Sequence, residues 1–66
     1  MKKQLKTRIF DGKTYIWRTS TYTESEAERE ADYLKTKLGY PFVKVIEEPI
    51  FGRQMWAVYY SDKWGV

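Results

Sequence analysis

The sequence contains no cysteine and no histidine. Disulfides are therefore excluded, and so are the usual zinc sites, which need thiolate or imidazole ligands. Asparagine is also absent and proline occurs only twice. No apolar run approaches the roughly 18 residues that a membrane helix requires. Met1, Lys2 and Lys3 are followed by no apolar stretch of the kind that marks a secretory leader. No glycine-rich loop precedes a helix, because Gly12 and Gly39 are accounted for by a turn and a helix end. These absences predict a soluble, cytoplasmic chain with no cofactor, no metal and no membrane contact.

Sixty-six residues allow a single domain spanning 1–66. A chain this short buries only roughly 60% of the surface it exposes when unfolded. Small domains supplement such a core with staples or self-association. Here the supplement must come from the aromatic residues, 18% of the chain, each able to bury on the order of 150–250 Å², or from oligomerisation.

The net charge of +3 is modest, but it is unevenly placed. Residues 1–20 hold Lys2, Lys3, Lys6, Arg8, Lys13 and Arg18 against Asp11 alone. Residues 21–38 hold Glu24, Glu26, Glu28, Glu30 and Asp32 against Arg29, Lys35 and Lys37. The positive field sits on the N-terminal segment.

Asp11-Gly12 between two alternating segments predicts a two-residue hairpin turn, because both of its positions need positive φ. Strand 1 is expected over about 4–10 and strand 2 over about 13–22. Thr23 followed by Glu26 forms a capping box. Acidic residues in the first turns and Lys35 and Lys37 near the end suit the helix dipole. Ala27, Ala31, Leu34 and Leu38 form one narrow apolar stripe. Gly39 and Pro41 end the helix. Phe42 to Ile46 reads as strand 3, Pro49 to Arg53 as a turn, and Gln54 to Ser61 as strand 4. Trp64-Gly65-Val66 forms a tail. The expected fold is α+β: a ββαββ two-layer domain in which one helix covers one face of a four-stranded antiparallel sheet. Setting strand 3 beside strand 1 gives the order 2-1-3-4, which avoids a parallel pair.

The two-residue turn sets the hairpin register. Leu5, Ile9 and Ile16, with Thr7 and Thr14, share one face, expected to cover the helix stripe. Lys6, Arg8, Phe10, Lys13, Tyr15 and Trp17 share the other, expected to be open. Strand 4 has two alternations, Met55, Ala57 and Tyr59 or Trp56, Val58 and Tyr60, and the sequence leaves open which faces the helix. Ile50 and Phe51, on the turn, are expected to fold back over a core edge.

Cations interleaved with aromatic rings suit a nucleic acid. Cations neutralise phosphates and release counterions, rings stack on unpaired bases, and a two-stranded ribbon can enter a major groove. The leading expectation is thus non-catalytic binding of DNA or RNA. Lys6, Arg8, Lys13 and Arg18 would take phosphates, and Tyr15 and Trp17 would stack. The alternation of strand 2 sets Arg18 on the helix side, from which it would reach around the edge. The alternative is a protein-interaction module, a homodimer for example, burying the same aromatic face or using a strand edge. Cation–π and cross-strand pairing within one sheet would produce the same pattern.

The acidic residues do not read as catalytic. Glu26 is explained by the cap, Glu24 to Glu30 form a solvated charge face, and Glu47 and Glu48 point to opposite sides of a strand. Ser20, Ser25 and Ser61 have no histidine to activate them. An enzyme is not expected.

Two patterns resemble known families over about half the chain each. Arg8 to Leu34, RIFDGKTYIWRTSTYTESEAEREADYL, is similar in pattern to the arm-type DNA-binding domain of tyrosine recombinases, which has three strands before its helix where this chain has two. Tyr22 to Tyr59, with Leu38-Gly39-Tyr40, is similar to half of a SPOR peptidoglycan-binding domain, whose second helix has no counterpart here. These residues are mostly what any hairpin, helix and strand need, and neither resemblance assigns the chain to a family.

Overall fold

A computed structural model describes residues 6–61. Leu5 and the Trp64-Gly65-Val66 tail lie outside the described residues. The elements run β1 (Thr7–Phe10), β2 (Lys13–Thr21), α1 (Glu24–Thr36), β3 (Phe42–Ile50) and β4 (Arg53–Ser61). All sheet pairings are antiparallel. The fold is α+β, four strands in a curled sheet with one helix on one side. No described helix is long and apolar enough to cross a membrane.

Local chemistry explains each boundary. Asp11 and Gly12 both have positive φ, 53° and 80°, as the tight turn requires. The register is Phe10 opposite Lys13, Ile9 opposite Thr14, Arg8 opposite Tyr15 and Thr7 opposite Ile16. Thr23 caps the helix: its hydroxyl accepts the Glu26 backbone N–H at 3.2 Å and donates to the Glu26 carboxylate at 3.2 Å. The helix stops at Thr36, with Lys37 at its C-cap. The Tyr40 N–H then turns back to the Leu34 carbonyl at 3.0 Å. Leu38 thus falls beyond the last helical turn and stays about half exposed, while Ala27, Ala31 and Leu34 are buried.

The strand order is β1-β2-β4-β3, which corrects the expected 2-1-3-4. β4, not β3, occupies the interior of the sheet, flanked by β2 and β3. The physical reason lies in composition. Ala57, Val58 and Tyr59 of β4 are buried on alternating faces, as suits a strand covered on both sides. β3 carries Lys44, Glu47, Glu48 and Pro49, and proline cannot donate to a ladder, so it belongs on an edge. Helix α1 is about 10 Å across, about two strand spacings. It carries the chain past the future site of β4, and the β3–β4 hairpin then fills the gap.

The helix lies over β3, β4 and part of β2 but does not reach β1. Ile9, expected against the helix, is consequently 73% exposed. The open alternation of β4 is resolved in the same way. Trp56, Val58 and Tyr60, with Val43 and Val45 of β3, pack on the side of Ala27, Ala31 and Leu34.

The opposite side of the sheet holds a second core. Tyr15, Ala57 and Tyr59 are buried there, with Phe10, Phe42 and Ile46 packed against them. Phe10 meets Tyr15 and Tyr59 edge-on, at centroid distances of 5.2 and 5.6 Å. β1 and β3 are opposite edges of the sheet, which three flat spacings would separate by about 14 Å. Their side chains nevertheless meet across this second core, which is the measure of the curl.

Candidate nucleic-acid interface

On the side away from the helix, cations roof the aromatic core. The Arg8 guanidinium lies 5.3 Å from the Phe10 ring centre and 5.9 Å from that of Tyr59. Lys44 reaches the rings of Phe10 and Tyr15 at 5.6 and 6.0 Å. Lys13 stands 4.8 Å from Phe42, and Lys6 stands 5.9 Å from Trp17. A cation can rest on an aromatic face because the ring quadrupole is negative there. Its aliphatic stem meanwhile shields the ring from water.

Glu48 ties the two sheet edges together from β3. It accepts from Arg8 Nη1 of β1 at 2.7 Å and from Nζ of Lys6, the residue just before β1, at 2.9 Å. The Tyr59 hydroxyl lies 3.3 Å from the same carboxylate. The Glu48 side chain is only 12% exposed. Burial opposes its charge, but the hydrogen bond and charge of Lys6, the Tyr59 hydroxyl and the charge of Arg8 outweigh it. The carboxyl is thereby held below the ordinary glutamate range. The hydrogen bond to Glu48 in turn raises the Lys6 ammonium above the ordinary lysine range, against a smaller opposing effect of burial.

The structure separates the residues singled out from sequence. Lys6, Arg8 and Lys13 do share the helix-free face. Tyr15 shares it too, but at 5% exposure it is floor rather than surface. Its expected role in stacking is corrected: the ring is packed beneath Phe10 and Lys44 within this one chain. Trp17 is the hairpin ring left at the surface, 37% exposed, with its indole N–H donating to Ser20 Oγ at 2.9 Å. Arg18 belongs to neither group. A β-bulge between Trp17 and Thr19 makes it an extra residue in β2. Its guanidinium turns to the helix and pairs with Glu30 at 2.7 Å, which raises its already high pKa.

Sequence reasoning overlooked Lys44 and Glu48 as parts of this face. Their signal was the simple alternation Phe42, Lys44, Ile46, Glu48, which places all four on one side of a strand. That reading required β3 to continue beyond Ile46. On the described face, Lys6, Arg8, Lys13 and Lys44 stand against Glu48 and, at 3.8 Å from Lys44, Asp11. The cations outnumber the acids two to one there, whereas Glu24, Glu26, Glu28, Glu30 and Asp32 lie on the helix behind the sheet. Among the described residues, no three His, Cys, Asp or Glu side chains gather as a metal site.

Comparison with protein-family models, with curated proteins and with solved structures finds no match to this chain.

Proposed function

We propose that this protein binds nucleic acid by its phosphate backbone, on the helix-free face of the sheet. The observation that carries this reading is the row of Lys13, Lys44, Arg8 and Lys6 along one face, with the helix acids on the other. Such a separation of charge attracts and orients a polyanion. Each phosphate contacted releases condensed counterions, so affinity comes from charge and not from sequence. The burial of Tyr15 shifts the weight of the reading from base stacking to phosphate contact. Within the β1–β2 hairpin, Trp17 is the ring with surface to offer a base.

The test is titration of a fluorescent single strand and a duplex at two salt concentrations, with gel filtration of the protein alone. With about four phosphates contacted, log K falls against log salt with a slope of about −3 to −4. Lys6→Ala combined with Arg8→Ala weakens binding to both. Glu48→Gln does the opposite, because it frees two cations for phosphate, and binding tightens even as the fold weakens. No binding at low salt, together with a dimeric elution volume, overturns the proposal in favour of self-association.

A further inference from the structure

The chain has two hairpin turns of the same kind. Asp11-Gly12 joins β1 to β2, and Phe51-Gly52 joins β3 to β4, with φ of 51° and 76°. Both positions of each turn are left-handed, which favours glycine, asparagine and aspartate. Aspartate is suited to its place because its short side chain bonds the local backbone. Phenylalanine has no such compensation, and a bulky residue at positive φ is an outlier. Nor does Phe51 fold back over a core edge, as the sequence had suggested. It is 101% exposed, so its ring rests on none of the described residues. Turn conformation and solvent both disfavour this residue here.

Its surroundings suggest what the ring meets. Arg53, two residues on, places its guanidinium 5.5 Å from the ring of Tyr22, itself an exposed aromatic. Phe51 follows Glu48, the meeting point of Lys6 and Arg8, by three residues, about 10 Å along a strand. In the other direction β3 passes Lys44 and ends at Phe42, beneath Lys13. A single strand laid along the cations from Lys13 to Lys6 is thus led to an exposed ring, with Arg53 two residues further along the chain. We propose that Phe51, supported by Arg53 and Tyr22, stacks on an unpaired base of that strand. The tip thereby makes the protein prefer single strands over duplex. This inference rests on the phosphate-binding reading of the sheet face.

Phe51→Asn separates function from folding, because asparagine suits the turn. The thermal midpoint should rise by about 4 °C or more. Affinity for a fluorescent oligonucleotide single strand should fall on the order of tenfold at every salt concentration. The salt slope and duplex affinity should stay as they were, because no phosphate contact is lost. Phe51→Tyr should retain the single-strand affinity. A strand carrying 2-aminopurine should show fluorescence quenching with the unaltered protein and with Phe51→Tyr, and lose it with Phe51→Asn. Unchanged single-strand affinity in Phe51→Asn overturns the inference and leaves the sheet-face reading standing. A shift of Phe51→Asn from dimeric to monomeric elution, with nucleic-acid binding unaltered, also overturns it and assigns the tip to a protein contact. Absence of binding by the unaltered protein overturns both readings.

Discussion

The two sides of the sheet are both covered, but by different means. On one, a helix lays Ala27, Ala31 and Leu34 on Val58, with the Arg18–Glu30 pair outside that apolar cluster. On the other, Tyr15, Ala57 and Tyr59 are covered, among the described residues, by Phe10, Phe42 and Ile46 and by charged side chains. The first side depends on water leaving apolar surface, which is indifferent to pH and strengthened by many salts. The second depends in part on a carboxylate strap between sheet edges, which responds to both. A short chain without disulfides has thus made its spare face a second core, with charges as the outermost layer. Under the phosphate-binding proposal, the same charges are the ones that meet an anionic partner.

The largest loss of stability is expected on the helix side. Leu34 is fully buried and central to that cluster. Leu34→Ala should lose about 2–5 kcal/mol, a large part of the stability of a domain this small. Urea midpoints at low and high salt should show nearly the same loss. A loss that varied strongly with salt would mean that the helix side is also held by charge.

Glu48→Gln is the matching change on the other side, with a smaller effect. It keeps the shape and one acceptor but removes the charge that Lys6 and Arg8 share. The expected loss is about 1–2 kcal/mol at neutral pH and low salt, shrinking as salt is added. The pH dependence has a definite sign. Because the folded-state carboxyl is held below its ordinary range, its contribution is complete above about pH 4.3. It is lost as pH falls through the lower, folded-state value. Lys6 works in the reverse sense: raised in the fold, it contributes below the ordinary lysine value of about 10.4 and its share is lost at more alkaline pH. Urea midpoints followed from neutral pH down to pH 2 should therefore converge for the two proteins. Parallel curves would show that Glu48 carries no linked stability.

How much of this could be read beforehand varies along the chain. The β1–β2 register and the helix cap were legible because each rests on a few adjacent residues, Asp11-Gly12 in one case and Thr23 with Glu26 in the other. Strand order was not, since it depends on which strand can be buried on both faces. Pro49 and the charges of β3 marked an edge, but only once β3 was extended to Ile50. The sheet face was legible as a set of residues and misread as a surface. Alternation tells which side chains share a face; it does not tell how far the sheet curls. Curling brings Phe10, Tyr15 and Tyr59 into mutual contact, so rings that would lie open on a flat sheet become interior. The bulge at Arg18 was invisible for a related reason. One added residue changes the alternation downstream, and nothing local announces it.

Arg18 supplies the finest test of the contrast, because it is a cation on the wrong side. It came from the same basic segment as Lys6 and Arg8, yet it stays on the helix side, where the alternation of strand 2 sets it, and pairs with Glu30 instead of reaching around the edge. The pair is partly exposed and lies outside the Leu34 cluster, so Arg18→Ala should cost only about 0.2–1 kcal/mol. A double-mutant cycle with Glu30→Ala should return a coupling in that range, and the Arg8–Glu48 cycle a larger one, because Glu48 is the more buried acid. If phosphates lie on the helix-free face, Arg18→Ala should also leave oligonucleotide affinity and its salt slope unchanged, whereas removing Lys6 and Arg8 together lowers both. Equal losses from the two sides would mean that the polyanion tracks net charge alone, and that separating the charges between the faces serves packing and not binding.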